Sequence, residues 1–261
     1  MDSFTLLGTG WILASLIMTA LFLVAIIKKE ADIVDVGWAG CIGILSLWYQ
    51  LFSPVTLGSL LVTLCCLFWS TRLTTYLFRT RFLVHGEDGR YKALRASWGK
   101  KANINFFIFF QLQAALSAFF SIPVLIALIG TSSSLQWTTS LYVGLFIFIV
   151  SLVGETIADR QLSSFRRDPQ NAGKVCNTGL WRYSRHPNYF FEWLHWWSYV
   201  AFASIGEYWW ISLIGPSLLL YLILYVTGIP PTEARAIESR GEAYREYQRT
   251  TSSFFPWYPR K

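Results

Sequence analysis

The run LLGTGWILASLIMTALFLVAIIKK, residues 6–29, decides the fold. From Leu6 to Ile27 it carries no charge, and a lysine pair closes it. As a helix rising ~1.5 Å per residue, that stretch covers the roughly 30 Å of hydrocarbon in a bilayer. Six more spans of the same kind follow, at about 32–52, 57–78, 105–129, 138–160, 188–206 and 208–227. Composition agrees: 54% of the 261 residues are hydrophobic and only 14% are charged, far from a soluble domain.

The basic residues set the orientation. Lys28 and Lys29 follow the first span, Arg72 to Lys101 the third, Arg160 to Arg185 the fifth, and Arg235 to Lys261 the last. If seven spans alternate, all 22 Lys and Arg fall on one side, leaving FSPVT (52–56), GTSSSLQW (130–137) and SIGEY (204–208) on the other. Cytosolic loops collect Lys and Arg, so the expected fold is all-α integral membrane, with seven transmembrane helices, the N-terminus outside and the C-terminus cytosolic. The net charge of +7 thus reads as a topology signal, not a nucleic-acid surface. The first span has no basic n-region or cleavage site and is expected to stay. The whole chain reads as a single membrane domain, with an amphipathic cytosolic tail over 232–261, helix-prone from Thr232 to Thr250, whose terminal SSFFPWYP aromatics are expected at the interface. The four Cys show neither metal nor disulfide spacing. No Walker sequence and no GxGxxG between strand and helix is present, so any nucleotide must be held by helices and loops.

Ionisable residues at membrane depth cost several kcal/mol unless paired or hydrated, which makes each a candidate for function. In ADIVDVGWAG (31–40), Asp32 suits a helix cap, whereas Asp35 lies a turn deeper. On the next span Trp69, Arg72 and Tyr76 share one face, and the hairpin brings Arg72 and Tyr76 level with Asp35. Asp35 therefore either acts on a substrate or forms a salt bridge with Arg72. Leaving the fifth span is a stripe of Glu155, Asp159, Ser163 and Arg166, with Arg167 beside it; an Arg pair near carboxylates suits a ligand bearing both phosphate and ribose hydroxyls. In GLWRYSRHPNYFFEWLHWW (179–197), Arg185, Asn188, Glu192 and His195 line one face of an otherwise aromatic helix. Four polar groups on that face point to ligand binding.

The segment RHPNYFFE (185–192) resembles the signature RHPNYxGE of the membrane reductases that include the steroid 5α-reductases. With DIVDVGWAG (32–40), GEDGRY (86–91) and GIPPTEARAIESRGEAYREYQRTTSSFFPW (228–257), the chain from about residue 30 onward is similar to the related bacterial, DUF1295-like branch. The resemblance implies a seven-helix enzyme in the bacterial inner membrane. It would take NADPH from the cytosol and reduce an activated C=C bond of a lipid or steroid-like enone entering from the bilayer. It places the dinucleotide on Asp159, Arg166, Asn188 and Glu192; Glu155 and Arg167 of the first stripe and Tyr183, Arg185, His186 and His195 of the run 179–197 are the further candidates for the cofactor site. Asp35 takes the position of the family's carbonyl-polarising Glu, expected here as a protonated donor. The family's Tyr falls on Trp69, and an indole N–H donates a hydrogen bond but no proton, so Tyr76 is the alternative acid, with Arg72 beside it. Phe191 replaces the signature's Gly. A methyltransferase of the isoprenylcysteine carboxyl methyltransferase type, using S-adenosylmethionine, shares a similar Arg-His-Pro run. A non-enzymatic lipid-binding protein is the third reading.

Overall fold

The computed structural model describes residues 1–83, 86–132 and 136–260. Among them every regular element is helical. Ten α-helices run α1 (Ser3–Lys28), α2 (Ile33–Leu51), α3 (Leu57–Leu77), α4 (Gly89–Trp98), α5 (Ala102–Thr131), α6 (Thr139–Arg167), α7 (Pro187–Ala203), α8 (Ile214–Tyr221), α9 (Ile229–Arg240) and α10 (Glu242–Thr250). Among the described residues six helical segments are long and apolar enough to cross a membrane: Ser3–Lys28, Ile33–Leu51, Leu57–Phe82, Gly89–Thr131, Thr139–Arg167 and Trp209–Arg240. The protein is therefore read as an integral membrane protein. The expected span at 188–206 does form a helix, but α7 has 17 residues and at ~1.5 Å each is only about 25 Å long, shorter than the other crossings. Residues 133–135 of the expected outer connector, and Lys261, lie outside the described residues.

The chain divides into two compact units, Met1–Ser140 with Phe202–Ser212, and Leu141–Ala201 with Leu213–Lys261. In the first, α2 packs against α1, α3 and α5. The α2–α3 approach is tight because Gly43 has no side chain: a Cβ there would stand 2.4 Å from the Ser70 Oγ. That hydroxyl donates instead to the Ala39 carbonyl at 2.7 Å. The turn before α3 is set by a capping box, Thr56 accepting from the Ser59 N–H and Ser59 from the Thr56 N–H. The Thr56 hydroxyl donates at the same time to the Thr131 carbonyl at 3.1 Å, tying this turn to the end of α5.

In the second unit, the helix-prone part of the tail forms two helices, α9 and α10. It breaks at Gly241, which takes φ +55°, a value that an L side chain rarely adopts. The chain then returns as an irregular strip over 251–260. Phe254 of that strip is a correction to the expected interfacial aromatics: it is 2% exposed and packs with Ile223, Ile229, Phe190 and Trp193. Phe255, Trp257 and Tyr258 remain exposed.

Candidate functional site

In the first unit the chain beyond α3 widens into a π turn at Phe78–Phe82, and α4 follows where the sequence suggested only a loop. Both fold back onto the start of α2. Asp35 accepts from the Arg81 guanidinium, from Arg90 Nη2 at 3.0 Å and from the Tyr91 hydroxyl at 2.7 Å. Its partner is thus not Arg72. Every one of these bonds runs into its two oxygens, so Asp35 serves here as an acceptor. Asp32 does not cap α2 with its side chain; its oxygens receive the Asp88 N–H at 3.0 and 3.2 Å. Glu87 takes the Ala31 N–H at 3.0 Å and Arg95 through two bonds of 2.6 and 3.0 Å. DIVDVGWAG and GEDGRY, read separately in the sequence, are therefore each other's partners in one polar clasp. Burial works to raise the Asp88 carboxyl, but the Arg90 N–H and guanidinium and the nearby Arg81 outweigh it, holding Asp88 below its ordinary value.

Trp69 is wholly buried, edge-on to Trp38 with ring centroids 6.3 Å apart. Tyr76 lies one turn beyond Arg72 on α3 and is half exposed.

The second unit holds the other candidates. On α6, Glu155 is buried and Asp159 half-buried, while Arg166 and Arg167 are exposed at its end. On α7, Asn188 and Glu192 are half-buried and His195 is buried, with its Nε2 3.1 Å from the Tyr199 hydroxyl. The two stripes meet where Asn188 Nδ2 donates to Asp159 Oδ1 at 3.2 Å. Further out, the Trp181 indole N–H donates to the Ala158 carbonyl at 2.9 Å, and the Leu180 N–H to Gln161 at 2.9 Å. Phe191, standing where the resembling signature has Gly, keeps the helices close by a reciprocal exchange. Its ring lies on Gly154 of α6, where a Cβ would be only 2.3 Å from it. The missing side chain has moved to the facing helix.

Arg185 and His186 are placed differently from expectation. Both are buried, and both bind Glu233, a residue to which the sequence reading gave no role. Arg185 Nε donates to Glu233 Oε1 at 2.7 Å, and its Nη1 reaches the carbonyls of Gln248 and Thr251. His186 Nε2 is 3.2 Å from the same Glu233 oxygen, and Gln248 donates to the other at 2.6 Å. Burial pushes the nearby Tyr244 and Tyr247 phenols up, so both stay protonated at neutral pH. Tyr183 is held through its backbone, its carbonyl accepting from the Trp257 N–H at 2.9 Å. Arg185, His186 and Tyr183 thus secure the C-terminal segment against the entry to α7. The only signal for Glu233 in the sequence was its place within the quoted run 228–257.

Among the described residues no group of three or more His, Cys, Asp or Glu could hold a metal ion.

These features define an all-helical membrane protein with a polar stripe on two adjoining helices. The chain belongs to the family described as "Protein of unknown function (DUF1295)", matched over residues 21–251. It is also 27% identical over 215 residues to the uncharacterized protein C594.04c of Schizosaccharomyces pombe, covering 72% of this chain and 60% of that protein. The chain thus spans less than two thirds of that relative's length. No solved structure matches it.

Proposed function

We propose that this protein is a membrane-embedded, NADPH-dependent reductase of an activated C=C bond in a lipid, akin to the steroid 5α-reductases its signature resembles. The observation that carries the reading is the Asn188–Asp159 bond, which sets the signature helix against the acidic stripe of α6. The donor set fits a phosphorylated dinucleotide. Glu155, Asp159 and Glu192 suit ribose hydroxyls, Asn188 offers both donor and acceptor, and the exposed Arg166 and Arg167 match phosphate oxygens. NADPH, when bound, would supply the hydride. The chain's own contribution is to orient that cofactor and to offer a donor to the lipid's carbonyl. Tyr76, on the α3 face of Arg72, is assigned that donor role, and Asp35 the role of holding Arg81, Arg90 and Tyr91 in place.

The reading includes seven crossings with the N-terminus outside and the C-terminus in the cytosol. Counting α7 as a crossing puts all 22 Lys and Arg on one side of the membrane, as the distribution of basic residues favours. The expected host is a bacterial inner membrane.

Titration of the purified protein in detergent tests the cofactor. NADPH should bind more tightly than NADH, and Arg166→Ala should erase most of that preference, since charge-assisted bonds to a 2′-phosphate are worth about 1.5–3 kcal/mol each. Asn188→Ala and Glu192→Gln should abolish binding. Uptake of S-adenosylmethionine with none of NADPH would replace the reductase by a methyltransferase.

A further inference from the structure

The second unit contains a cleft of about 500 Å³ that none of the residues assigned to the cofactor lines. Asn177, Thr178 and Arg182 line it from the segment before α7, Glu246 and Thr250 from α10, and Pro259 from the C-terminal strip. These segments are tied together. The Tyr247 hydroxyl donates to the carbonyls of Trp181 and Ser184, Arg240 Nε to the Lys174 carbonyl at 2.9 Å, and the Arg260 N–H to the Thr250 carbonyl at 2.8 Å. The cleft is therefore built in advance of any occupant.

Its lining carries both charges. The Arg182 guanidinium, exposed, makes no hydrogen bond or ion pair with another described residue. Beside it stand the Asn177 amide and the Thr178 hydroxyl, both able to donate. Also lining the cleft is the Glu246 carboxylate, whose Oε2 accepts from Arg249 while Oε1 carries no bond from another described residue. A guanidinium fork with neighbouring donors suits phosphate oxygens. The carboxylate disfavours a bare anion and suits an ammonium.

The setting names the source. Trp257 and Tyr258, just before Pro259, are 71% and 78% exposed, and Tyr183 stands edge-on to Tyr258 at 6.0 Å. In a chain of membrane-length helices, exposed Trp and Tyr of this kind mark the headgroup level. We propose that the cleft holds the headgroup of a zwitterionic phospholipid of the phosphatidylethanolamine type, its phosphate on Arg182, Asn177 and Thr178 and its ammonium toward Glu246. The inference is independent of the reductase reading.

Native mass spectrometry of delipidated protein in detergent, titrated with phosphatidylethanolamine, phosphatidylglycerol or inorganic phosphate, tests it. The parent should retain phosphatidylethanolamine, and Arg182→Gln should weaken that retention about tenfold with thermal stability unchanged, since Arg182 makes no internal bond to lose. Glu246→Gln should remove the preference for phosphatidylethanolamine over phosphatidylglycerol. Undiminished retention by Arg182→Gln would overturn the site. Displacement of the lipid by inorganic phosphate or by NADPH at equal concentration would overturn the lipid as its occupant.

Discussion

Replacing Glu233 by Ala should loosen the C-terminal segment while leaving the helices of the second unit formed. The side chains of Glu233 and Arg185 are only 12% and 10% exposed, and Glu233 accepts from Arg185, His186 and Gln248. Removing one partner of a buried ion pair strands the other's charge, at a cost of about 3–5 kcal/mol. Arg185 keeps the carbonyls of Gln248 and Thr251, so the lower end, about 3 kcal/mol, applies. Two amides report the docking directly: Arg185 N–H, bonded to the Ser252 carbonyl at 2.9 Å, and Trp257 N–H, bonded to Tyr183. At about 1.4 kcal/mol per decade, their hydrogen exchange in detergent should quicken roughly a hundredfold, if they exchange by local opening of the tail. Glu233→Gln keeps the shape and loses the charge, and should fall between. Exchange within a factor of three of the parent in Glu233→Ala would refute the clamp.

Other tests address single contacts. Gly154→Ala drives a Cβ into the Phe191 ring and should lower stability by about 1–3 kcal/mol, seen as a lower melting temperature in detergent; Phe191→Ala in the same molecule should restore most of it. Asp88, held below its ordinary 3.8, contributes stability to the clasp above that pH and loses it as pH falls through the lower folded value. Protease access to α4 should therefore rise as pH falls below Asp88's ordinary 3.8. A reporter fused after Lys261 should read cytosolic and one inserted after Ser132 extracytosolic; both on one side would refute the seven-span orientation.

The apolar runs were legible from residues alone because burying a span in hydrocarbon is a local requirement. Each run must satisfy its own backbone within one helix, whatever its neighbours. The shared faces of Glu155 with Asp159, and of Asn188 with Glu192, were legible for a similar reason, since helical periodicity fixes them. Partners were not. Asp35 looked level with Arg72 on a hairpin of two straight helices, yet the π turn at Phe78–Phe82 and the return of α4 deliver Arg81, Arg90 and Tyr91 to it. The basic stretch after α3 gave no periodic signal for α4, a ten-residue helix tied to the distant Asp35 by Arg90 and Tyr91. Phe254 reads as one more interfacial aromatic until the chain folds back and buries it. Arg185 finds Glu233 across 48 positions of sequence. Length, apolarity and helical face are properties of a segment and were determined by the sequence itself. The choice of partner for each charge depends on which segments meet, and only the tertiary structure decided that.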